Sequence, residues 1–222
     1  MNSPSYYIVP FCEKEPLKLY EDKHLLLVCK PEFLLSVPGR AEENKDCLIT
    51  RLQTEHPSAS IVHRLDLDTS GIMVVPLKKT AHSHISRQFQ ERQVSKQYTA
   101  EVFGLLPEDS GSIELPIAKD WPNRPKQKID FESGKSAVTH WQVLKRFPEE
   151  NKTRVLLKPI TGRTHQLRIH LSEIGHPILG CDMYAHEEAL LRSPRLLLHA
   201  TYISLMHPDS GKTLFGYCPP EF

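Results

Sequence analysis

His63-Arg64-Leu65-Asp66-Leu67-Asp68-Thr69-Ser70-Gly71 is the most unusual stretch of this chain. It crowds polar side chains between two apolar, strand-sized segments, Ile61 to Leu65 and Gly71 to Leu77. A purely structural turn uses Asp, Ser and Gly, but it has no need of a His and an Arg just ahead of them. Beside the plain salt-bridged turn, three chemical readings compete. Asp66 and Asp68 can act as a carboxylate pair, because i and i+2 share one face of a strand and close carboxylates raise one pKa. The D-x-D spacing can hold a cation, although further acidic residues are lacking nearby. Asp66 can also act alone, held by Arg64 or by an arginine from elsewhere in the chain. Spacing leaves these alternatives open.

The flanks supply the fold class. Upstream, His24 to Cys29 is a buried-strand run stopped by Lys30-Pro31, and Ser36-Val37-Pro38-Gly39-Arg40 is loop chemistry. Asp46 can cap a short helix from Cys47 to His56, and Thr80 a longer one to about Arg92. Downstream, Lys96–Phe103, Gly111–Ile117, Ala137–Arg146, Arg154–Ile160 and Leu196–Leu205 are rich in β-branched or aromatic residues and read as strands. One helix interrupts them. It starts near Thr164, turns Leu167, Leu171 and Ile174 to the core, and ends at Gly175 with Pro177 beyond. Residues 1–19 read as a polar tail or wrapping segment. The remainder, 20–222, reads as a single α+β domain on a large, mainly antiparallel sheet flanked by helices and loops.

Three more segments carry candidate chemistry. In Gly162-Arg163-Thr164-His165-Gln166-Leu167-Arg168-Ile169-His170 a strand ends, glycine allows a sharp turn, and a helix begins with its free N–H groups. Arg168 falls at the edge of the core face, from where it can reach a buried carboxylate. In Asp120-Trp121-Pro122-Asn123-Arg124-Pro125-Lys126-Gln127-Lys128 the basic residues alternate, so they project to one side if the segment is a strand. A stiff basic ribbon with an aromatic suits a nucleic-acid backbone and one stacked base, and a charged surface loop fits equally well. In Lys96-Gln97-Tyr98, the Tyr reads either as core or as a flat face offered to a flipped base.

Composition narrows the choice. Of 222 residues, 39% are apolar and 25% charged, which is globular usage. The net charge is +1, but Lys119 to His170 holds twelve Lys/Arg against five Asp/Glu, so one side can meet a polyanion. No apolar run is long enough to cross a membrane, and Met1-Asn2-Ser3-Pro4 has no secretory pattern. The five Cys are odd in number and form no C-x-x-C, the usage of a reducing compartment with buried or idle thiols. His82 and His84, two apart on a helix, point away from each other, which argues against a metal site. The glycine motifs of nucleotide hydrolysis, dinucleotide binding and the nucleophile elbow are missing.

Together these segments resemble the RluA-type pseudouridine synthases. His63 to Gly71 matches the family's H-R-L-D-x-x-T-S-G at every fixed position. Lys96-Gln97-Tyr98, Gly162 to His170 and Leu197-Leu198-His199-Ala200 match its further motifs, from about Tyr20 to the C-terminus. Ser36 to Arg40 and Trp121 to Lys128 are similar to the short bacterial members that act on 23S rRNA and tRNA. Some relatives carry an S4-like RNA-binding domain, and the nineteen residues ahead of this core are too few for one.

The resemblance implies a reaction: the uridine N1–C1′ bond breaks, the base turns, and C5 joins the ribose. It implies no cofactor and no metal. Asp66 takes the place of the essential aspartate, Arg168 of the arginine paired with it, and Tyr98 of the tyrosine set against the base. Arg64 resembles the residue that fills the gap left by the flipped uridine. Asp68 falls on a variable position, which favours the lone-Asp reading. Arg40, Arg124, Lys126, Lys128, Arg163 and His165 are the expected phosphate contacts. The expected partners are stem-loops of 23S rRNA and tRNA, with no membrane, for a monomeric cytoplasmic enzyme. The rival readings are a synthase restricted to one of these RNAs, an idle RNA-binding protein, and a glycoside hydrolase using Asp66 and Asp68.

Overall fold

The computed structural model describes residues 7–222, and the first six residues of the expected tail, with the start of the chain, lie outside it. The chain divides into two units. One comprises the chain up to Ser95 together with Tyr202–Pro219, and the other comprises Lys96–Thr201 with Pro220–Phe222.

In the first unit, β1 (Leu17–Glu21), β2 (Leu25–Lys30) and β3 (Ser70–Pro76) lie side by side and antiparallel. The apolar run predicted as a strand is β2, with Leu25 to Val28 fully buried. All seven residues of β3 are buried too, as expected of a strand covered on both faces. Helix α1 (Leu48–Gln53) is capped at Cys47, where Thr50 accepts the Cys47 amide, so Asp46 is not the cap. Asp46 instead holds the Arg51 guanidinium with both carboxylate oxygens. In the last turn of helix α2 (Lys79–Gln90), the Gln88 amide group exchanges two hydrogen bonds with the backbone of Met206.

The second unit holds β4 (Ser95–Phe103), β5 (Ser110–Glu114), β6 (Ile117–Lys119), β7 (Gln127–Ile129), β8 (Val138–Phe147) and β9 (Lys152–Pro159). β4, β9, β8 and β5 are neighbours in that order, antiparallel throughout, and β6 pairs with β7 in a separate ribbon. Burial in β9 alternates along the strand, the period-2 signature of a half-buried sheet. Helix α3 (Gln166–Glu173) buries Leu167 and Leu171 among Val102, Val155, Leu157 and Ile178. Helix α4 (Glu187–Leu191) follows.

Strand β10 (Leu198–Met206) starts in the second unit, and its end lies in the first, where it pairs with β11 (Thr213–Tyr217). Gly216 on β11 is required by close approach, since a Cβ there would sit 2.4 Å from Ile72 Cδ1 and 2.8 Å from Leu27 Cδ1. Among the described residues nine strands belong to one sheet, so the α+β reading with a large, mainly antiparallel sheet holds.

Several local expectations do not. Residues 61–65 form no strand, which removes the same-face argument for Asp66 and Asp68. The expected strand at 111–117 breaks at Leu115-Pro116 into β5 and β6. Residues 7–16 have no regular structure, and Leu17–Glu21, mostly assigned to the tail, is β1. Cys12, Cys47 and Cys181 are buried free thiols, but Cys29 and Cys218 form a disulfide across 189 positions, against the expectation of idle thiols. Among the described residues no helix is long and apolar enough to cross a membrane.

Candidate functional site

In the first unit the candidates sit on two loops that are fastened to each other. The loop after β2 presents Ser36, whose hydroxyl donates to the Leu65 carbonyl at 2.7 Å and accepts from the Leu65 amide at 3.1 Å. That reciprocal pair fixes the residue lying between Arg64 and Asp66. Beyond it, the Thr69 amide donates to the Asp66 carbonyl at 3.2 Å and closes a turn. The Lys30 ammonium, wholly buried at the end of β2, donates to the carbonyls of Pro31, Leu34 and Leu67. Burial pushes its pKa down to about 7, and the nearby Asp68 and Asp66 carboxylates oppose that fall.

This framework leaves the Arg64 side chain exposed and the Asp66 side chain half-buried. His63 is used differently. Its Nε2 accepts the Val74 amide at 3.1 Å, and its ring stacks on Phe89 with centroids 4.7 Å apart. It therefore anchors the loop to β3 and α2. Thr69 is buried, and its hydroxyl has no hydrogen-bond partner among the described residues. Arg40 is exposed on the loop that contains Ser36.

In the second unit Tyr98 stands on β4 opposite Leu157, half-buried against the core. Arg168 is 1% exposed, so the expected edge position on α3 is in fact an interior one. Its Nη2 donates to Asp182 Oδ1, its Nε approaches Cys181 Sγ at 3.4 Å, and its guanidinium lies 5.7 Å from the Tyr184 ring centre. A buried guanidinium must be paired on all its edges, and the carboxylate of Asp182 supplies one of them.

The turn before α3 is set by Gln166. Its Oε1 accepts from the Thr161 hydroxyl and the Arg163 amide, and its Nε2 donates to the Val138 carbonyl and the Thr139 hydroxyl. All four hydrogen-bonding positions of the amide are thereby used. The helix starts at Gln166 and not near Thr164, because His165 takes a left-handed cap conformation (φ 54°). Lys96 reaches the same turn, with Nζ 3.8 Å from where a Cβ on Gly162 would stand, and burial pushes its pKa down.

The expected phosphate contacts of this unit have distinct settings. Arg163 donates from Nε to the Ser136 carbonyl, and His165 Nδ1 bonds the Tyr184 hydroxyl. Only Lys128 of the basic ribbon lies in a strand. Arg124 and Lys126 occupy the turn before it, so the alternation argument does not apply to them. Lys128 pairs with Asp130 at 2.9 Å; that bond raises the lysine pKa and drives the aspartate well below the usual carboxylate range. Arg124 lies over the Trp121 ring at 4.7 Å.

Lys30, Ser36 and Gln166 were not singled out from the sequence. The signal for Lys30 was its place at the end of an otherwise apolar strand, where a charged side chain demands partners. Ser36 and Gln166 carry no such mark, because no local pattern signals their bonds to Leu65 and to Val138 and Thr139, 27 to 29 positions away.

Three comparisons bear on this arrangement. A family model described as RNA pseudouridylate synthase matches residues 24–173. Two curated relatives, each named dual-specificity RNA pseudouridine synthase RluA, are highly similar. That of Yersinia pestis is 53% identical over 92% of this chain and 98% of its own length. That of Escherichia coli K12 is 50% identical over 92% and 93%. Among solved structures, human RNA pseudouridylate synthase domain containing 1 superposes with a TM-score of 0.78 at 30% identity, over 96% of this chain and 86% of that one. Its domain-containing-4 counterpart gives 0.74 at 26% identity, over 92% and 89%.

Proposed function

Because the chain belongs to the RNA pseudouridine synthase family and is an RNA-isomerising enzyme, we propose that it acts on stem-loops of both 23S rRNA and tRNA, with Asp66 as its essential residue. Dual specificity is supported by likeness over nearly the whole length of relatives whose names state it, and the choice of these two RNAs by the resemblance of Ser36 to Arg40 and of Trp121 to Lys128. The role of Asp66 is supported by the H-R-L-D-x-x-T-S-G match and by the Ser36 and Lys30 hydrogen bonds that fix the backbone around it.

The reaction is an isomerisation that balances within the substrate. The N1–C1′ bond breaks, a C5–C1′ bond forms, the C5 hydrogen leaves as a proton, and N1 takes one up. Asp66 serves this through its carboxylate, which a cation beside it holds in place. Arg168 is the cation that the motif match assigns to it. Tyr98 lies against the target base, and Arg64 fills the stack that the base leaves. Extruding a base costs a few kcal/mol, and less from a loop than from a duplex, which favours stem-loop substrates.

Arg40, Arg124, Lys126, Lys128, Arg163 and His165 hold phosphates. They add salt-dependent affinity without sequence preference. Lys128 contributes less than the others while Asp130 holds its ammonium. The enzyme works in the cytoplasm as a monomer, with residues 20–222 as its catalytic domain.

The test is a panel of two RNAs, a 23S rRNA stem-loop and a tRNA anticodon arm, each carrying tritium at uridine C5. The proposal expects release from both. Release from one alone would restrict the enzyme to that RNA. Release from neither, with binding intact, would leave an idle RNA-binding protein.

A further inference from the structure

The turn between β6 and β7 is wired to itself. The Asp120 amide donates to the Lys126 carbonyl at 3.1 Å, the Asn123 amide to Asp120 at 3.2 Å, and the Lys126 amide to Asn123 at 3.0 Å. Asn123 Nδ2 adds a bond to the Asp120 carboxylate at 2.9 Å. The Tyr184 hydroxyl accepts the Gln127 amide and also bonds His165, which ties the ribbon to the segment before α3. On this firm support Trp121 stays 61% exposed.

Trp121 opens onto a hollow between the basic ribbon and the turn before α3. Lys119, Lys128, Lys135 and the Gly162-Arg163-Thr164 turn line it with the indole, and Asp130 is its one acidic member. Lys119 and Arg124 lie 5.2 and 4.7 Å from the ring centre, yet most of the residue remains open to solvent. Arg163 is held in place by Ser136 and, through its amide, by Gln166.

We propose that this hollow is a second nucleotide subsite, for an unpaired nucleotide of the substrate RNA other than the target uridine. Its base stacks on Trp121, and Lys119, Lys135 and Arg163 hold the phosphates on either side. An indole set among cations fits this ligand because every base has a π-face and every nucleotide a phosphate. A base inside a duplex has no free face to offer, so the nucleotide is single-stranded. The inference rests on the synthase reading and deepens it.

The test measures kcat and KM for tritium release from the 23S and anticodon stem-loops, with wild type, Trp121→Ala, Trp121→Phe and Lys135→Ala. Stacking is worth roughly tenfold in affinity per base, so Trp121→Ala raises KM about tenfold at unchanged kcat and unchanged salt dependence. Trp121→Phe keeps most of the affinity, and Lys135→Ala makes the salt dependence shallower. An abasic residue at one loop position other than the target reproduces the loss in wild type and adds nothing to Trp121→Ala. Trp121→Ala at wild-type KM, or losses that add at every abasic position, would overturn the subsite alone. A wild type inactive on both RNAs would overturn the synthase reading on which it rests.

Discussion

The Ser36 hydroxyl donates to the carbonyl of Leu65 and accepts from the amide of the same residue, so one side chain satisfies both backbone groups between Arg64 and Asp66. Both residues are buried, at 4% and 7% exposure, so water cannot replace the hydroxyl. The expected consequence of Ser36→Ala is a loss of about 1–3 kcal/mol of stability, the cost of leaving buried backbone groups unpaired. The looser loop also lowers kcat more than it raises KM. Urea denaturation and steady-state kinetics on one preparation measure both effects, and a variant as stable and active as wild type would show that the pair holds nothing in place.

Lys30 gives the protein a pH dependence of known sign. Its pKa falls from 10.5 to about 7 on folding. Between those values the unfolded chain holds a proton that the native state lacks, so this contribution to stability rises with pH. It is complete above the unfolded value and is lost as the pH falls toward 7. The slope is at most about 1.4 kcal/mol per pH unit. Lys30→Met removes the titration, so the stability difference between wild type and variant moves toward wild type from pH 7 to 9.5. A difference that stays flat over that range would mean that Lys30 does not titrate there.

Gln166 uses its whole amide to hold the turn that carries Arg163. Replacing it by Leu keeps the volume roughly and deletes four hydrogen bonds. The expected cost is at least about 2 kcal/mol, because Thr161 and Thr139 are buried and lose a partner. Thermal denaturation measures it. A change within the scatter of surface substitutions would show that the turn is held by other means.

Arg40 is exposed on the loop that contains Ser36. As a phosphate contact it adds affinity on every RNA alike. Arg40→Ala therefore weakens binding to specific and unrelated stem-loops by a similar factor, and the slope of log K against log salt falls by about 1. Loss confined to one RNA would make Arg40 a reader of sequence or shape.

What the sequence revealed and what it hid follow from the range of the interactions. Strands β2 and β3 and the Leu167–Leu171 face of α3 were legible, because a buried apolar run and a helical repeat are local signals. The family motifs were legible for the same reason, as each is one short run of residues. Edge strand β1 was missed because all five of its residues are exposed, so neither burial nor alternation marked it. β7 was left open between strand and loop, because three residues between prolines and charges show no period. The His165 cap cut the predicted start of α3 short, since a left-handed residue other than glycine has no sequence sign. The Cys29–Cys218 bond and the Ser36–Leu65 clasp join residues far apart in the chain, and no local pattern encodes such pairs.

The central claim is that Asp66 carries the isomerisation, and tritium release from C5-labelled stem-loop RNA tests it most directly when wild type is compared with Asp66→Ala. Carbon 5 loses its hydrogen when it becomes the glycosidic carbon, so release counts turnovers. The account predicts release by the wild type and none by the variant, which still binds the RNA with nearly unchanged affinity. Release by Asp66→Ala at a rate near that of the wild type would contradict it.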